Sequence, residues 1–186
     1  MKRIIDLILL LIALVFLSIP MLIIAIIVKL TSPGPIVFWS DRVGQYNRIF
    51  RMPKFRTMQV NTPNVATHLL VGAGSYLTPV GGFLRKSSLD ELPQLWSVFI
   101  GDMSFVGPRP ALYNQEDLIA MRTEQGVEVL VPGITGWAQV NGRDELDLTE
   151  KVNLDAQYLQ KQSISFDFYI LFLTVLKVFR REGVSH

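Results

Sequence analysis

No cysteine occurs in the 186 residues. That excludes disulfides, thiol nucleophiles and cysteine-based zinc sites. Histidine is nearly absent too: His68 and His186 lie far apart in sequence, which argues against a histidine-based metal cluster. The net charge is only +2, so no strong field for a polyanion is implied. No basic stripe with interleaved aromatics marks a nucleic-acid surface. There is no internal repeat, no low-complexity segment and no Gly-x-Gly fingerprint of a nucleotide-binding fold. What the chain has in quantity is apolar residues, 49% of the total, a share that points to a membrane segment. Its length suffices for one domain with a sizeable core.

The apolar residues concentrate at positions 4–30, a run longer than the ~20 residues of a spanning helix. No small-residue cleavage site follows it, which argues against a cleaved signal peptide. Hydropathy alone favours a single-pass anchor. Three details favour a helix that breaks, dips into the bilayer and returns to the same face. Pro20 sits mid-segment and removes a backbone hydrogen bond. Ser18 beside it can satisfy a freed carbonyl. Basic residues flank both ends, Lys2 and Arg3 before and Lys29 after, so the positive-inside rule assigns no sidedness. Asp6 is placed to pair with Arg3 at the interface, and Thr31-Ser-Pro-Gly-Pro35 reads as a linker.

Ile36-Val-Phe-Trp-Ser40 and Arg48-Ile-Phe-Arg-Met-Pro-Lys-Phe-Arg56 are strand-like runs around Val43-Gly-Gln-Tyr-Asn47. They predict a β-hairpin with Pro53 at an edge or bulge. Arg42, Arg48, Arg51, Lys54 and Arg56 cluster on it. They form either a face for anionic lipid heads or, for Lys54, part of an active site; strand alternation alone fixes neither face. Residues 59–80, with Pro63, Gly72, Gly74 and Pro79, read as a long loop, a length usually functional or mobile. His68 within it suits capping or packing better than catalysis.

Leu92, Leu95, Trp96 and Phe99 fall at i, i+3, i+4 and i+7 and predict one face of a helix. Pro93 is tolerated only in a first turn, so the helix begins between Leu89 and Leu92, and Gly101 ends it. Asp90 and Glu91 then occupy its N-terminus, where unpaired N–H groups and the dipole favour anions. Behind Ser87 and Ser88 the two acids can be plain capping groups, the commoner meaning of such a pair. The sharper meaning is a carboxylate nucleophile beside a metal-binding carboxylate, with a phosphate drawn to the helix end. Gly107-Pro-Arg-Pro110 strengthens it: a stiff turn presents one guanidinium, suited to bidentate phosphate contact.

Residues 113–130 read as a polar helix and Pro132 to Arg143 as a glycine-rich turn. Such a turn can offer backbone N–H groups and one arginine to a phosphate, or be a structural loop packed by Trp137. Lys151 to Lys161 predicts a helix, and Ser165 to Arg181 another. The second is rather short and too polar at its ends for a second span. It suits an interfacial helix, with a buried core helix as the competitor.

Ser88-Leu-Asp-Glu-Leu-Pro-Gln-Leu95, Gly101-Asp-Met-Ser-Phe-Val-Gly-Pro-Arg-Pro110 and Pro132-Gly-Ile-Thr-Gly-Trp-Ala-Gln-Val-Asn-Gly-Arg143 together resemble the bacterial sugar transferase family. These are the monotopic phosphoglycosyl transferases that begin glycan assembly on a polyprenyl phosphate, and the likeness covers roughly residues 1 to 185. The resemblance implies a helix-rich α+β fold: a re-entrant membrane helix over residues 1–31, and a cytosolic catalytic domain over 32–186 with a β-hairpin and interfacial helices. The family's membrane break is usually a Ser-Pro pair, whereas this chain has Ser18-Ile-Pro20. The implied reaction moves a phosphosugar from a UDP-sugar, an N-acetylated amino sugar in the short members, to undecaprenyl phosphate and releases UMP. It is the first membrane step of glycoconjugate synthesis, on the cytoplasmic face of the bacterial inner membrane. Asp90 would be the nucleophile, with Glu91 and Asp90 holding Mg²⁺. Arg109, Lys54 and Arg85 would bind phosphate, and Gln139, Asn141 and Arg143 the nucleotide. The 59–80 loop would be a lid. Two rivals share parts of this pattern: a membrane phosphohydrolase using the same aspartate, and a non-enzymatic membrane scaffold.

Overall fold

The computed structural model describes residues 1–62, 73–142 and 145–180. Residues 63–72 of the expected lid, His68 among them, and Arg143 lie outside the described residues. Helix α1 (Lys2–Thr31) stays helical on both sides of Pro20. Thirty helical residues give a contour about 45 Å long. Its covered side chains, Asp6 and Leu10 near the start and Ile24 and Val28 near the end, share one face. Leu11, Ile12, Val15, Phe16, Ile19, Leu22 and Ile23 are exposed. An 18-residue window with mean hydropathy 3.2 is only 11% buried, so this is not the core helix of a water-soluble domain. Its apolar surface is of the kind that lipid covers.

Both ends of α1 are fixed to the same globular body. At the start, the Arg3 guanidinium donates to the carbonyls of Val98 and Phe99, near the unpaired C-terminal end of a short helix. Lys2 pairs with Asp167. The buried Asp6 carboxylate accepts from Ser104 Oγ at 2.9 Å and from the Phe105 N–H at 3.1 Å. Asp6 therefore does not pair with Arg3 as the sequence suggested. Each finds a backbone partner about a hundred residues away, which local spacing does not reveal. At the other end, Ile24 and Val28 pack with Phe55 and Leu84, and the buried Arg56 guanidinium donates to the Ser32 and Pro33 carbonyls.

Strands β1 (Val37–Val43) and β2 (Ile49–Phe55) form the expected antiparallel hairpin, in register from Val37 opposite Phe55 to Val43 opposite Ile49. Pro53 lies opposite Trp39. In a two-stranded sheet each strand is an edge, so its missing N–H disrupts no third strand. After the short helix α2 (Gly81–Lys86) the central stretch departs from the predicted single helix. Leu89–Gln94 is a 3₁₀ turn, and α3 (Leu95–Ile100) starts only after it. Pro93, which cannot donate in a continuing α-ladder, marks the change. Gly101 ends α3 at φ 97° as expected. The predicted apolar face is not the buried one: Leu95 and Val98 are buried, while Trp96 and Phe99 are exposed, their rings 5.6 Å apart.

Strand β3 (Ser104–Val106) pairs in parallel with β4 (Gly133–Thr135). Between them lies α4 (Glu116–Glu124), shorter than the helix predicted over 113–130. The stretch expected to be a glycine-rich turn thus holds β4 and then α5 (Trp137–Asn141). The reason is tertiary. A Cβ on Gly107 would meet the Val131 carbonyl at 2.3 Å, and one on Gly133 would meet the Gly107 nitrogen at 2.1 Å. Only glycines allow the two backbones this close.

Helix α6 (Leu148–Lys161) begins at a capping box of Asp147 and Glu150, earlier than expected. Helix α7 (Ile164–Arg180) has a core face, as the buried-helix reading expects, and an exposed aromatic face. Ile170 is buried in the core with Val106, Val127, Leu130, Val140, Ala156 and Tyr158, whereas Phe168, Tyr169, Phe172 and Val175 are exposed.

Asp6→Ala leaves the Ser104 hydroxyl and the Phe105 N–H without an acceptor. A cost of about 1–3 kcal/mol is expected for such orphaned buried donors, about 2–12 °C in Tm at this chain length. Thermal unfolding of the purified protein in detergent checks it, and an unchanged Tm would show that Asp6 does not fasten α1.

Candidate active site

The hairpin divides its basic residues. Arg42, Met52 and Lys54 share one face by strand alternation. Lys54 and Arg42 reach inward, Arg48 and Arg51 stay exposed, with Arg51 5.4 Å over the Trp39 ring, and Arg56 is spent on the linker. The inward face meets the 3₁₀ turn that carries Asp90 and Glu91.

Glu91 is the centre of the arrangement. Its Oε1 accepts from Lys54 Nζ at 2.8 Å and from Arg109 Nη2 at 2.7 Å. Burial by itself would raise its pKa, but the adjacent Arg109 and Lys54 charges hold the carboxyl well below the usual range. Lys54 is pushed down from its ordinary value by burial, against the pull of Glu91. Glu91 is thus engaged by two cations, Ser88 makes no side-chain cap on the turn, and Ser87 bonds back to the Phe83 and Leu84 carbonyls.

Asp90, 7% exposed, is buried beside this cluster. Its pKa is raised, first by burial, with Lys54 opposing and Glu91 adding to the rise. This reverses the sequence expectation that a helix N-terminus favours the anion. A six-residue 3₁₀ turn has little dipole to offer, and loss of water outweighs it. Arg85 lies close enough to Asp90 to act on its charge and donates from Nε to Thr57 Oγ1 at 2.9 Å.

Arg109 is aimed by its backbone. The Gly107 N–H donates to the Thr135 carbonyl and the Gly133 N–H to the Pro108 carbonyl, both at 2.9 Å. The Arg109 carbonyl accepts from Arg122 Nη1 at 2.9 Å, and Arg122 is paired with the buried Asp155 at 2.6 Å. Sequence reasoning missed Arg122 and Asp155. They stand 33 positions apart, on helices whose polarity reads as solvent-facing. Arg42 was read only as part of a basic cluster. Its Nη1 donates to the Pro110 carbonyl at 3.3 Å, and burial with the neighbouring Arg109 charge lowers its pKa to about 10.

The structure thus brings Asp90, Glu91, Lys54, Arg85 and Arg109 together. Gln139 and Asn141 lie on α5. The Gln139 amide is buried with no partner on either end among the described residues, close to where a Gly136 Cβ would stand, and Asn141 donates to the Trp137 carbonyl. Trp137 packs against the core and its Phe166 ring, as the structural-loop reading requires. For Mg²⁺, the donor set is two adjacent carboxylates, and no group of three or more acidic or histidine side chains gathers among the described residues. One or two carboxylates plus substrate phosphates are the ordinary Mg²⁺ environment. The residues therefore fit an ion that arrives with a diphosphate better than a resident one.

The two acids have opposite linkage to pH. The folded pKa of Asp90 is raised, so its ionisation weakens the fold as pH climbs past the unfolded value of about 4. Asp90→Asn is expected to melt above the native chain at pH 7, with the difference closing in acid. Glu91 stabilises above its unfolded value, and that contribution is lost as pH falls through its depressed folded one. Glu91→Gln, which leaves Lys54 and Arg109 facing each other, is expected to lower Tm at pH 7 by several degrees, at about 2–4 °C per kcal/mol. Melting curves across pH read both signs, and Asp90→Asn melting lower than the native chain would contradict the burial argument.

Comparison with known proteins identifies the family. The family model for bacterial sugar transferases matches residues 1–181. The UDP-glucose:undecaprenyl-phosphate glucose-1-phosphate transferase of Escherichia coli is 40% identical over 96% of this chain and 40% of its own length. The uncharacterized sugar transferase EpsL of Bacillus subtilis is 39% identical, over the whole chain and 90% of its own length. A UDP-N-acetylgalactosamine-undecaprenyl-phosphate N-acetylgalactosaminephosphotransferase of Aeromonas hydrophila is 37% identical over 98% of this chain and 44% of its own length. The chain spans about two fifths of the first and third relatives and nearly all of the second. With a match across residues 1–181, this chain belongs to the bacterial sugar transferase family.

Proposed function

We propose that the chain is a phosphoglycosyl transferase that moves a phosphosugar from a UDP-sugar to undecaprenyl phosphate, releasing UMP. The observation that carries the reading is the buried Asp90 carboxylate beside a glutamate clamped by Lys54 and Arg109. A desolvated carboxylate is a stronger nucleophile than a hydrated one, and the cations around it offset the charge of an incoming diphosphate.

In the first half-reaction an Asp90 oxygen bonds to the sugar-bearing phosphorus, and the bond from that phosphorus to the bridging oxygen breaks. UMP leaves with the electron pair. In the second, a lipid phosphate oxygen attacks the same phosphorus and the Asp90 carboxylate departs, leaving a polyprenyl-diphosphate sugar. Arg109 and Lys54 exchange Glu91 for phosphate oxygens as the charge shifts. Arg85 steadies the anion near Asp90, and the Gln139 amide, without a partner among the described residues, is available to the nucleotide with Asn141 and Arg143. Bound at Glu91 and Asp90, Mg²⁺ would supply further neutralisation of the diphosphate. The sugar we assign is an N-acetylated amino sugar, the class named in the Aeromonas relative, whereas the Escherichia coli relative names glucose.

The domain over 32–186 works from the cytoplasmic face of the bacterial inner membrane on a re-entrant segment, residues 1–31. Support comes from the two ends of α1, each fixed to the same globular body. A helix crossing to the far side would carry one end away from it. The chain lacks cysteine, so single cysteines at Ile4 and Lys29 are unambiguous reporters. Neither is expected to react with a membrane-impermeant maleimide added to intact cells, and labelling of one from outside would make α1 a simple span.

The covalent step predicts ping-pong kinetics. UDP-sugar without acceptor is expected to release about one UMP per active site as a burst, and intact-protein mass spectrometry to show a phosphosugar adduct on the peptide holding Asp90. Asp90→Asn is expected to give neither while still sedimenting with membranes. Full turnover in that variant, or turnover that needs both substrates bound together without an adduct, would remove Asp90 as nucleophile. A panel of UDP-sugars with undecaprenyl phosphate, read by UMP release, ranks the sugars; water in place of the lipid acceptor as the productive partner would favour a phosphohydrolase.

A further inference from the structure

Arg42 has no part in the mechanism above, yet it stands beside its central charges. Of the five N–H groups of a guanidinium, Nε donates to Ser40 Oγ at 3.1 Å and one Nη1 hydrogen to the Pro110 carbonyl at 3.3 Å, which leaves three. Among the described residues it pairs with no carboxylate, unlike Lys54 and Arg109, which share Glu91. It is held rigidly: the Val43 N–H donates to the Ala111 carbonyl at 3.0 Å, and Arg42 bridges to Leu112, tying β1 to the segment just after Pro108-Arg109-Pro110. A partly buried guanidinium close to Arg109, with Glu91 near but no carboxylate paired to it directly among the described residues, is costly until an anion arrives. Burial and the Arg109 charge lower its pKa, with Glu91 opposing.

We propose that Arg42 is a substrate-phosphate ligand, contacting an oxygen of a phosphate held between its guanidinium and that of Arg109. This rests on the phosphoglycosyl transfer reading for the identity of the phosphate. The anion site itself rests only on the geometry. The phosphate belongs either to the nucleotide-sugar diphosphate or to the lipid acceptor, and the two half-reactions separate these sources. Arg42 keeps its place on the hairpin through backbone bonds, so Arg42→Gln retains the side chain's length and some hydrogen bonding while losing the charge and the fork.

The test has two parts. In the first, inorganic pyrophosphate binding is measured calorimetrically on the detergent-solubilised protein, with no reaction needed. Arg42→Gln is expected to weaken it at least ~10-fold, the size of one charged hydrogen bond, and Arg42→Lys by less. In the second, the UMP burst and the acceptor dependence of turnover are followed separately. A burst needing ~10-fold more UDP-sugar places the phosphate on the donor; an intact burst with KM for undecaprenyl phosphate raised ~10-fold places it on the acceptor. Unchanged pyrophosphate affinity in a normally melting Arg42→Gln, with both KM values unchanged, would overturn the proposal. If Arg42→Gln fails to fold, native affinity and KM values in Arg42→Lys do so instead. Arg42-dependent pyrophosphate binding in a protein that releases no UMP from any UDP-sugar would overturn the transferase reading and leave the anion site standing.

Discussion

The shared clamp on Glu91 is the contact on which the rest of the site depends. One carboxylate oxygen accepts from a lysine on the hairpin and from an arginine on the turn after β3. It therefore ties together three segments that have no local reason to meet. Burying three charges is expensive unless each is answered, and here Glu91 answers two cations while Lys54 and Arg109 answer Glu91. The same clamp sets the character of Asp90 beside it. Burial raises that carboxyl, and Lys54 limits the rise. The two acids follow each other in the chain, yet their environments drive their pKa values in opposite directions.

Rigidity for the clamp comes from backbone, not from bulk. Glycines at 107 and 133 let β3 and β4 approach until a single Cβ would collide, and the resulting ladder fixes the start of Pro108-Arg109-Pro110. Arg122 then holds the Arg109 carbonyl, with Asp155 completing a buried pair behind it. Removing one partner of such a pair strands the other in the protein interior. The effect of Asp155 on the site thus passes through two side chains before it reaches the Arg109 fork.

The long apolar helix is joined to this body at both ends by contacts of different kinds. Polar and ionic contacts fasten the start, where Asp6 and Arg3 meet backbone groups of the central stretch. Apolar packing and the Arg56 bonds fasten the end. The exposed Trp96 and Phe99 lie on α3, whose last carbonyls Arg3 holds. The helix that follows the Asp90–Glu91 turn is thereby coupled to the long apolar one.

Some of this was legible from residue order alone. The long apolar run, the hairpin, the stop at Gly101 and the choice of Asp90, Glu91 and Arg109 as residues to look at come from local rules: composition, turn chemistry, and the stiffness of a proline-flanked arginine; the structure brings those three together. Other features were settled only by the tertiary structure. The apolar spacing of Leu92, Leu95, Trp96 and Phe99 suggested a buried face, yet Trp96 and Phe99 point outward, because periodicity records which residues are apolar and not whether protein or lipid covers them. Strand alternation put Arg42 and Lys54 on one face without saying which, and contact with Glu91 decided it. The pairing of Arg122 with Asp155, the partners of Asp6, and the raised pKa of Asp90 all depend on distances between segments far apart in the chain. Burial and charge proximity are properties of the packed molecule, so no local pattern encodes them.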